Sequence, residues 1–265
     1  KFRGTRQTKD TQKQRLEVGQ VLTIEIDSMT LEGQCIARVD GFVLFVSGGI
    51  PGETVSIEVT SLGRNFGRAD VRQVIEADEH RIKPNCRHFG TCGGCSWQHI
   101  AYTEQLQWKA QLLRSILEHR LPGVKLPLKS VLGVPDPWGT RNKIHYTVSH
   151  IGHGRNRTAR LCHHGLNSTE LEVIRECPVH HPEGDQIARR AFLWLRERGV
   201  EAARPHDVDP GLKSILVRTA GKSGLSHVVF VATSSSLPDI DSVARSLIEL
   251  PNVAGVHLNV QPDAT

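Results

Sequence analysis

Three cysteines within ten residues are the feature of this sequence with the clearest chemistry. Cys86, Cys92 and Cys95 follow the spacing C-x5-C-x2-C, and the three glycines between them allow a tight loop to direct several sulfurs to one point. Such a loop is typical of a metal or cluster site that takes a fourth ligand from elsewhere in the chain. Cys177 is the best candidate, because a Cys-Pro pair also ends the ligand run of bacterial ferredoxins and Pro178 follows it directly.

The kind of metal at such a site is not fixed by the spacing. Four thiolates suit a [4Fe-4S] cluster and also a structural zinc ion, because both accept four cysteine sulfurs. His88 and His99 are alternative ligands, and Cys162, in a strand-like segment, is a substitute for Cys177. Cys35 alternates with apolar residues, which predicts a small, buried hydrophobic side chain.

The cysteine loop and two further segments resemble the iron–sulfur RNA uracil-C5 methyltransferases, which make 5-methyluridine in ribosomal or transfer RNA. The matching segments are C-R-H-F-G-T-C-G-G-C-S-W-Q-H from residue 86, W-G-T-R-N-K from residue 138 and E-C-P from residue 176. The resemblance implies a [4Fe-4S] cluster held by four cysteines, namely Cys86, Cys92, Cys95 and Cys177. It also implies that Arg141, Asn142 and Lys143 lie by the RNA path near the flipped base.

The same resemblance implies that S-adenosylmethionine and the catalytic cysteine belong to a C-terminal Rossmann-like domain. We find no glycine-rich G-x-G-x-x-G loop between a strand and a helix in this sequence. We therefore expect the Rossmann-like catalytic domain to be absent from the chain, and we assign none of its residues to catalysis or to S-adenosylmethionine. Whether the chain by itself is an enzyme is left open.

The expected fold class is an OB-like β-barrel followed by an α+β domain that carries the cysteine-ligated cluster. Five short β-type runs separated by glycine turns predict the barrel at residues 16–80, and their phrases resemble the TRAM domain. Residues 1–15 are predicted to be a basic disordered tail, and residues 81–265 the iron–sulfur α+β domain. Within that domain, apolar residues at helical spacing predict a helix at 103–121. Its core-facing stripe is formed by Leu106, Ala110, Leu113 and Leu117.

The distribution of charge favours a nucleic-acid partner. The net charge is +5, with +5 in residues 1–15, −7 in residues 16–80 and +7 in residues 81–265. Residues 141–160 hold five basic residues and no acid, and an arginine-rich hairpin tip in this segment can reach phosphates; a solvated hairpin is the alternative. The candidate RNA contacts are Arg141, Asn142, Lys143, Arg155, Arg157, Arg160, Arg64 and Arg68.

Composition is ordinary for a globular protein of 265 residues, with 38% hydrophobic and 23% charged residues. Six clustered cysteines are too few for a disulfide scaffold and favour a reducing compartment. The sequence has no apolar run long enough for a transmembrane helix, so no membrane partner is expected. We expect a cytoplasmic location, or an organelle matrix if a leader preceded Lys1; the oligomeric state is not predicted.

The leading hypothesis is that this chain is the RNA-recognition and [4Fe-4S]-binding part of an S-adenosylmethionine-dependent ribosomal or transfer RNA uracil-C5 methyltransferase. The first alternative is a non-catalytic RNA-binding or ribosome-assembly protein derived from that family, which would act on a ribosomal assembly particle. The second alternative is an RNA-binding module that holds zinc.

Overall fold

The computed structural model describes residues 16–152, 157–166, 168–203 and 210–262. The chain divides into two compact units, the first comprising Lys1–Lys83 and Ser96–Val131 and the second Pro84–Cys95 and Leu132–Thr265. The cysteine loop therefore belongs to the second unit. Each unit is built on one six-stranded sheet.

The first unit has a mixed sheet with the strand order β1-β5-β6-β4-β3-β2. Neighbouring strands are antiparallel except β4 and β6, which are parallel. Residues that alternate along β5 point into the core, with Val55, Ile57 and Val59 all fully buried. The strand bounds are Val21–Glu25 (β1), Ser28–Met29 (β2), Cys35–Val39 (β3), Phe42–Ser47 (β4), Thr54–Leu62 (β5) and Phe66–Glu76 (β6).

A buried ion pair lies beside this sheet. The carboxylate of Glu53 is completely buried and accepts two hydrogen bonds from the guanidinium of Arg81, at 2.5 and 2.6 Å. It also accepts the backbone N–H groups of Ile50, at 2.8 Å, and Asp78, at 3.2 Å. The pair thus joins the loop before β5 to the segment after β6.

Helix α1, Tyr102–Arg120, also belongs to the first unit. Trp108 of the helix and Trp97 before it pack against the core of the sheet. The predicted core stripe is wrong, because Leu113 is 46% exposed and no described residue of α1 is fully buried. No described helix is both long and apolar enough to span a membrane.

The second unit has a mixed sheet with the order β12-β11-β10-β7-β8-β9. Helix α2 packs on the middle of the sheet through Ile187, Ala191 and Leu195. Helix α3 connects β11 to β12, which are parallel. The bounds are Lys143–Ile151 (β7), Thr158–His164 (β8), Leu171–Val173 (β9), Pro182–Glu197 (α2), Leu212–Thr219 (β10), Ser226–Ala232 (β11), Ile240–Ile248 (α3) and Val253–Val260 (β12).

The predicted fold class is wrong as a whole. In place of a five-stranded barrel and a separate α+β domain without Rossmann-like elements, the described residues form two six-stranded mixed sheets with three helices. Alternation of apolar residues predicts strands, but pairing depends on contacts between distant segments, such as the parallel pair of β4 with β6. The β11-α3-β12 crossover with parallel strands is the kind of unit from which Rossmann-like sheets are built.

Candidate functional site

The cysteine loop is fastened to the sheet of the second unit by backbone hydrogen bonds. The N–H of Cys92 donates to the carbonyl of His88 at 2.9 Å, and the N–H of Gly93 donates to the carbonyl of His164, at the end of β8, also at 2.9 Å. A side chain at Gly93 would place its Cβ only 2.8 Å from the carbonyl oxygen of Gly165. Glycine is therefore required there, because the loop approaches backbone atoms directly.

Arg141 connects this loop to the segment that contains Cys177. Its N–H donates to the carbonyl of Val179 at 2.9 Å, and its carbonyl accepts the N–H of His181 at 3.0 Å. Its guanidinium donates to the carbonyl of Gly94 at 3.1 Å. Arg141, which the sequence marks as a candidate RNA contact, thus holds the two cysteine-bearing segments together.

The side chains of Cys86, Cys92, Cys95 and Cys177 are all half-buried, and none of the four is part of a disulfide. Burial raises the pKa of Cys86, and the nearby thiols of Cys177 and Cys95 raise this pKa further. Burial likewise raises the pKa of Cys92, to which all three other thiols add. These effects mean that the four thiols lie within range of one another's charge.

Backbone N–H groups are directed at the sulfurs. The N–H of His88 donates to Sγ of Cys86, and the N–H of Gly94 donates to Sγ of Cys92, each at 3.4 Å. Burial acts to raise the pKa of Cys177, but the His180 side chain and the N–H groups of Val179 and His180 outweigh it, so this pKa is lowered. Such donors stabilise a thiolate, which is the form that binds metals.

A buried polar network lies next to Cys177 and contacts it through His180. Asp185 accepts hydrogen bonds from the Tyr146 hydroxyl at 2.5 Å, from His180 Nδ1 at 2.9 Å and from Arg189 Nε at 2.6 Å. His180 also bonds to Cys177. Burial acts to raise the pKa of Asp185, but its three donors together lower it to about 2. The ring of His163 stacks on Tyr146, and its Nδ1 lies 3.6 Å from Sγ of Cys92.

Replacing Asp185 with asparagine is expected to lower the free energy of unfolding by roughly 2.5 kcal/mol at pH 7, because lowering the pKa from its ordinary value of 3.8 to about 2 is worth that much. The folded-state pKa lies below the unfolded one. The contribution is therefore complete above about pH 4 and is lost as the pH falls towards 2. Against the effect of burial, Asp185 also raises the pKa of His180, and this contribution is lost as the pH rises, so urea unfolding should give a larger difference between the two forms at pH 5 than at pH 7.

Asp241→Asn is the matched control for this change, since Asp241 is exposed in the first turn of α3. It should change the stability by less than about 0.5 kcal/mol. Equal stability of Asp185→Asn and the unsubstituted protein at pH 7 would contradict the role of the network.

The structure places the other predicted RNA contacts on several surfaces. Asn142 and Lys143 are exposed at the start of β7, and Arg157 is exposed just before β8. Arg64 is exposed in the β5–β6 turn, whereas Arg68 donates to Gln34 at 3.1 Å. Arg155 lies outside the described residues, and Arg160 lines a cavity.

Sequence reasoning missed the residues that surround the thiols. Tyr146, His163, His180 and Asp185 come from β7, β8 and the start of α2, so sequence spacing does not place them together. The one local signal was a histidine three residues after Cys177, in C-P-V-H-H. Within the described parts of the chain, no three His, Cys, Asp or Glu side chains form a group suited to one metal ion.

Comparison with known proteins supplies independent information. Residues 15–71 match the model of the TRAM domain. The chain is 26% identical over 252 residues to an uncharacterised RNA methyltransferase of Caldanaerobacter subterraneus, which covers 95% of this chain and 55% of the relative. It is 30% identical over 248 residues to another from Listeria innocua, covering 92% and 54%. The chain thus spans about half the length of these curated relatives.

A solved structure shares the fold. It is that of the Pyrococcus abyssi tRNA (uracil-54, C5)-methyltransferase in complex with S-adenosyl-L-homocysteine, with a TM-score of 0.60 and 18% identity, covering 91% of this chain and 52% of that one. The prediction that Rossmann-like structure is absent is wrong on this finding as well. The likeness to a methyltransferase extends over nearly all of this chain, which includes the parallel β11-α3-β12 unit.

Proposed function

We propose that this chain supplies RNA recognition and [4Fe-4S] binding in an S-adenosylmethionine-dependent RNA uracil-C5 methyltransferase, with ribosomal or transfer RNA as substrate. The observation that carries the proposal is that Arg141 joins the cysteine loop to the Cys177 segment, with N–H donors directed at the sulfurs of Cys86, Cys92 and Cys177. Similarity to curated RNA methyltransferases supports the reaction class, and the TRAM match supports an RNA partner.

The residues present fit a [4Fe-4S] cluster. Cys86, Cys92 and Cys95 would hold it from the loop and Cys177 from the segment after β9, in the half-buried setting that such clusters occupy. When bound, the cluster supplies metal–thiolate bonds that join these segments, and a redox centre. No three of the described ligand-type side chains share one ion position, but in a cluster each thiolate binds a different iron.

The chain's own residues do the positioning. Arg141 fixes the loop against the Cys177 segment, and His180, held by Asp185, orients a donor towards Cys177. Exposed Asn142 and Lys143 follow Arg141 directly, so an RNA strand bound to them would lie beside the cysteine group. Thiolate ligands require reducing conditions, which favours a reducing compartment such as the cytoplasm.

The test is an anaerobic absorption spectrum with iron, sulfide and zinc analysis, followed by RNA binding measured on the same sample. A broad brown absorption band with about four irons per chain and binding that weakens with salt are expected. One zinc per chain without iron would overturn the cluster and favour the zinc-bound RNA-binding module. Iron without RNA binding would overturn the recognition role.

A non-catalytic RNA-binding or ribosome-assembly role is the remaining alternative. Incubation of the full-length protein with S-adenosylmethionine and RNA tritiated at uridine C5 distinguishes the two. Release of tritium is expected for a uracil-C5 methyltransferase. RNA binding without release would favour the non-catalytic role.

A further inference from the structure

A cavity of about 890 Å³ lies in the second unit beside the cysteine loop. One side is formed by Arg87 and His88 of the loop, and the others by the end of β7, by β8 and β9 and by α2. The floor of the cavity is apolar and is formed by Leu161, Ile174 and Phe192. These three side chains belong to the hydrophobic core, since each is at least 93% buried. This volume falls in the range of pockets that hold small organic ligands, roughly 300–1,000 Å³.

Four arginines line the cavity, against one acid among the described lining residues. Arg189 is committed to Asp185 and Tyr146, and the acid, Glu172, faces His88 Nδ1 at 3.2 Å. Arg175 is exposed at the rim and Arg160 is half-buried, with one of its N–H groups on the neighbouring carbonyl of Ala159.

A third guanidinium, that of Arg87, adds to the positive rim. Its side chain is 56% exposed and lies 3.9 Å from Glu176, which is too long for a hydrogen bond. The cavity therefore combines an apolar floor with donors that retain hydrogen-bonding capacity for an anion.

This combination matches a nucleotide. Guanidinium groups bind phosphate through paired N–H donors, and they also stack on bases. Apolar and aromatic walls accept the faces of a base and a ribose in single-stranded RNA. A cavity for an apolar ligand would not need three arginines at its edge, and a site for inorganic phosphate would not need this volume or an apolar floor.

We propose that this cavity binds one nucleoside phosphate unit of the RNA, with its phosphate on Arg160 and Arg175 and its base against the apolar floor. The inference rests on the proposed function, because it assigns part of RNA recognition to a defined site. The bound nucleotide lies next to His88, whose N–H donates to Sγ of Cys86. RNA held there is therefore also held beside the cysteine group.

The test measures binding of a short uridine-containing single-stranded RNA by fluorescence anisotropy. Arg160→Ala and Arg175→Ala should each weaken binding roughly tenfold, as for loss of a charged hydrogen bond. Each should also lower the salt dependence by the equivalent of about one phosphate contact. Leu193→Glu, which changes a 42% exposed residue lining the cavity, should weaken binding similarly by placing a carboxylate there.

Arg245→Ala is the matched control, because Arg245 is an exposed arginine of α3 outside the cavity lining. It should bind RNA as the unsubstituted protein does. All variants should retain the same metal content, which checks that they are folded. If the three cavity variants also bind RNA normally, the cavity inference fails while the proposed function stands. If the unsubstituted protein binds no RNA, both fail.

Competition separates a whole nucleotide from phosphate alone. Uridine 5′-monophosphate should displace the RNA at concentrations where inorganic phosphate does not. Equal displacement by both would overturn the nucleotide assignment, because the apolar floor would then contribute nothing to binding.

Discussion

Replacing Cys177 with alanine is expected to reduce the iron content from about four atoms per chain to a trace. Cys177 is the one proposed ligand outside the loop, and without it the three loop thiolates cannot bridge the two segments. Because this site does not exist in the unfolded chain, metal binding contributes to the free energy of folding. The second unit should therefore lose stability on the order of several kcal/mol. Iron and sulfide analysis with thermal unfolding under anaerobic conditions measures both effects.

Cys162→Ala is the control for this loss. Cys162 lies in β8 of the same unit, is completely buried, and its pKa is raised to about 11 by burial and by the charge of Glu172. Cys162 is completely buried, whereas the four proposed ligands are half-buried, which makes it a packing group rather than a ligand. The variant should keep its iron. Loss of iron in Cys162→Ala with full iron in Cys177→Ala would exchange the two assignments.

The cysteine loop is recognisable in the sequence because its chemistry is local. Cys86, Cys92 and Cys95 lie within ten residues, and the glycines between them are visible in the sequence alone. The fourth position depended on a Cys-Pro pair and on a resemblance, and in the structure the charge of Cys177 acts on Cys86 and Cys92. That these thiols hold a cluster is still a prediction for metal analysis to test.

The role of Arg141 shows that the type of a residue does not determine which group its side chain contacts. An arginine in a basic segment predicts a phosphate contact, but its guanidinium donates to the carbonyl of Gly94, 47 residues away. Only the fold decides whether an arginine faces solvent or an internal carbonyl. The same limit applies to Asp185, whose charge is buried beside Tyr146 and His180.

Helix and strand patterns indicate a buried face without identifying what covers it. The stripe of α1 has the correct spacing, yet Leu113 is 46% exposed, because a periodic pattern does not specify a packing partner. Alternation in β5 did predict its buried side chains, Val55 and Ile57. The position of β6 between β5 and β4 required the folded chain, because a parallel neighbour leaves no turn signal between paired strands.

The pair of Glu53 and Arg81 leads to the largest stability effect expected in the first unit. Arg81→Met removes two charged hydrogen bonds and leaves a fully buried carboxylate without its counter-charge. Breaking a buried pair in this way costs about 3–5 kcal/mol. Native-state hydrogen exchange of the β5 amides measures the loss, because β5 begins directly after Glu53.

A double variant and an exposed pair make this test specific. Glu53→Gln added to Arg81→Met removes the buried charge. Its single amide oxygen can accept from only one of the two backbone donors, because Ile50 and Asp78 bind different oxygens of Glu53, so about half of the stability should return. Arg38→Ala breaks the exposed pair with Asp27, whose side chains are 56% and 40% accessible, and should cost less than about 1 kcal/mol. Equal losses in Arg81→Met and Arg38→Ala would mean that water solvates the Glu53 carboxylate once Arg81 is removed, and that the first unit does not depend on this ion pair.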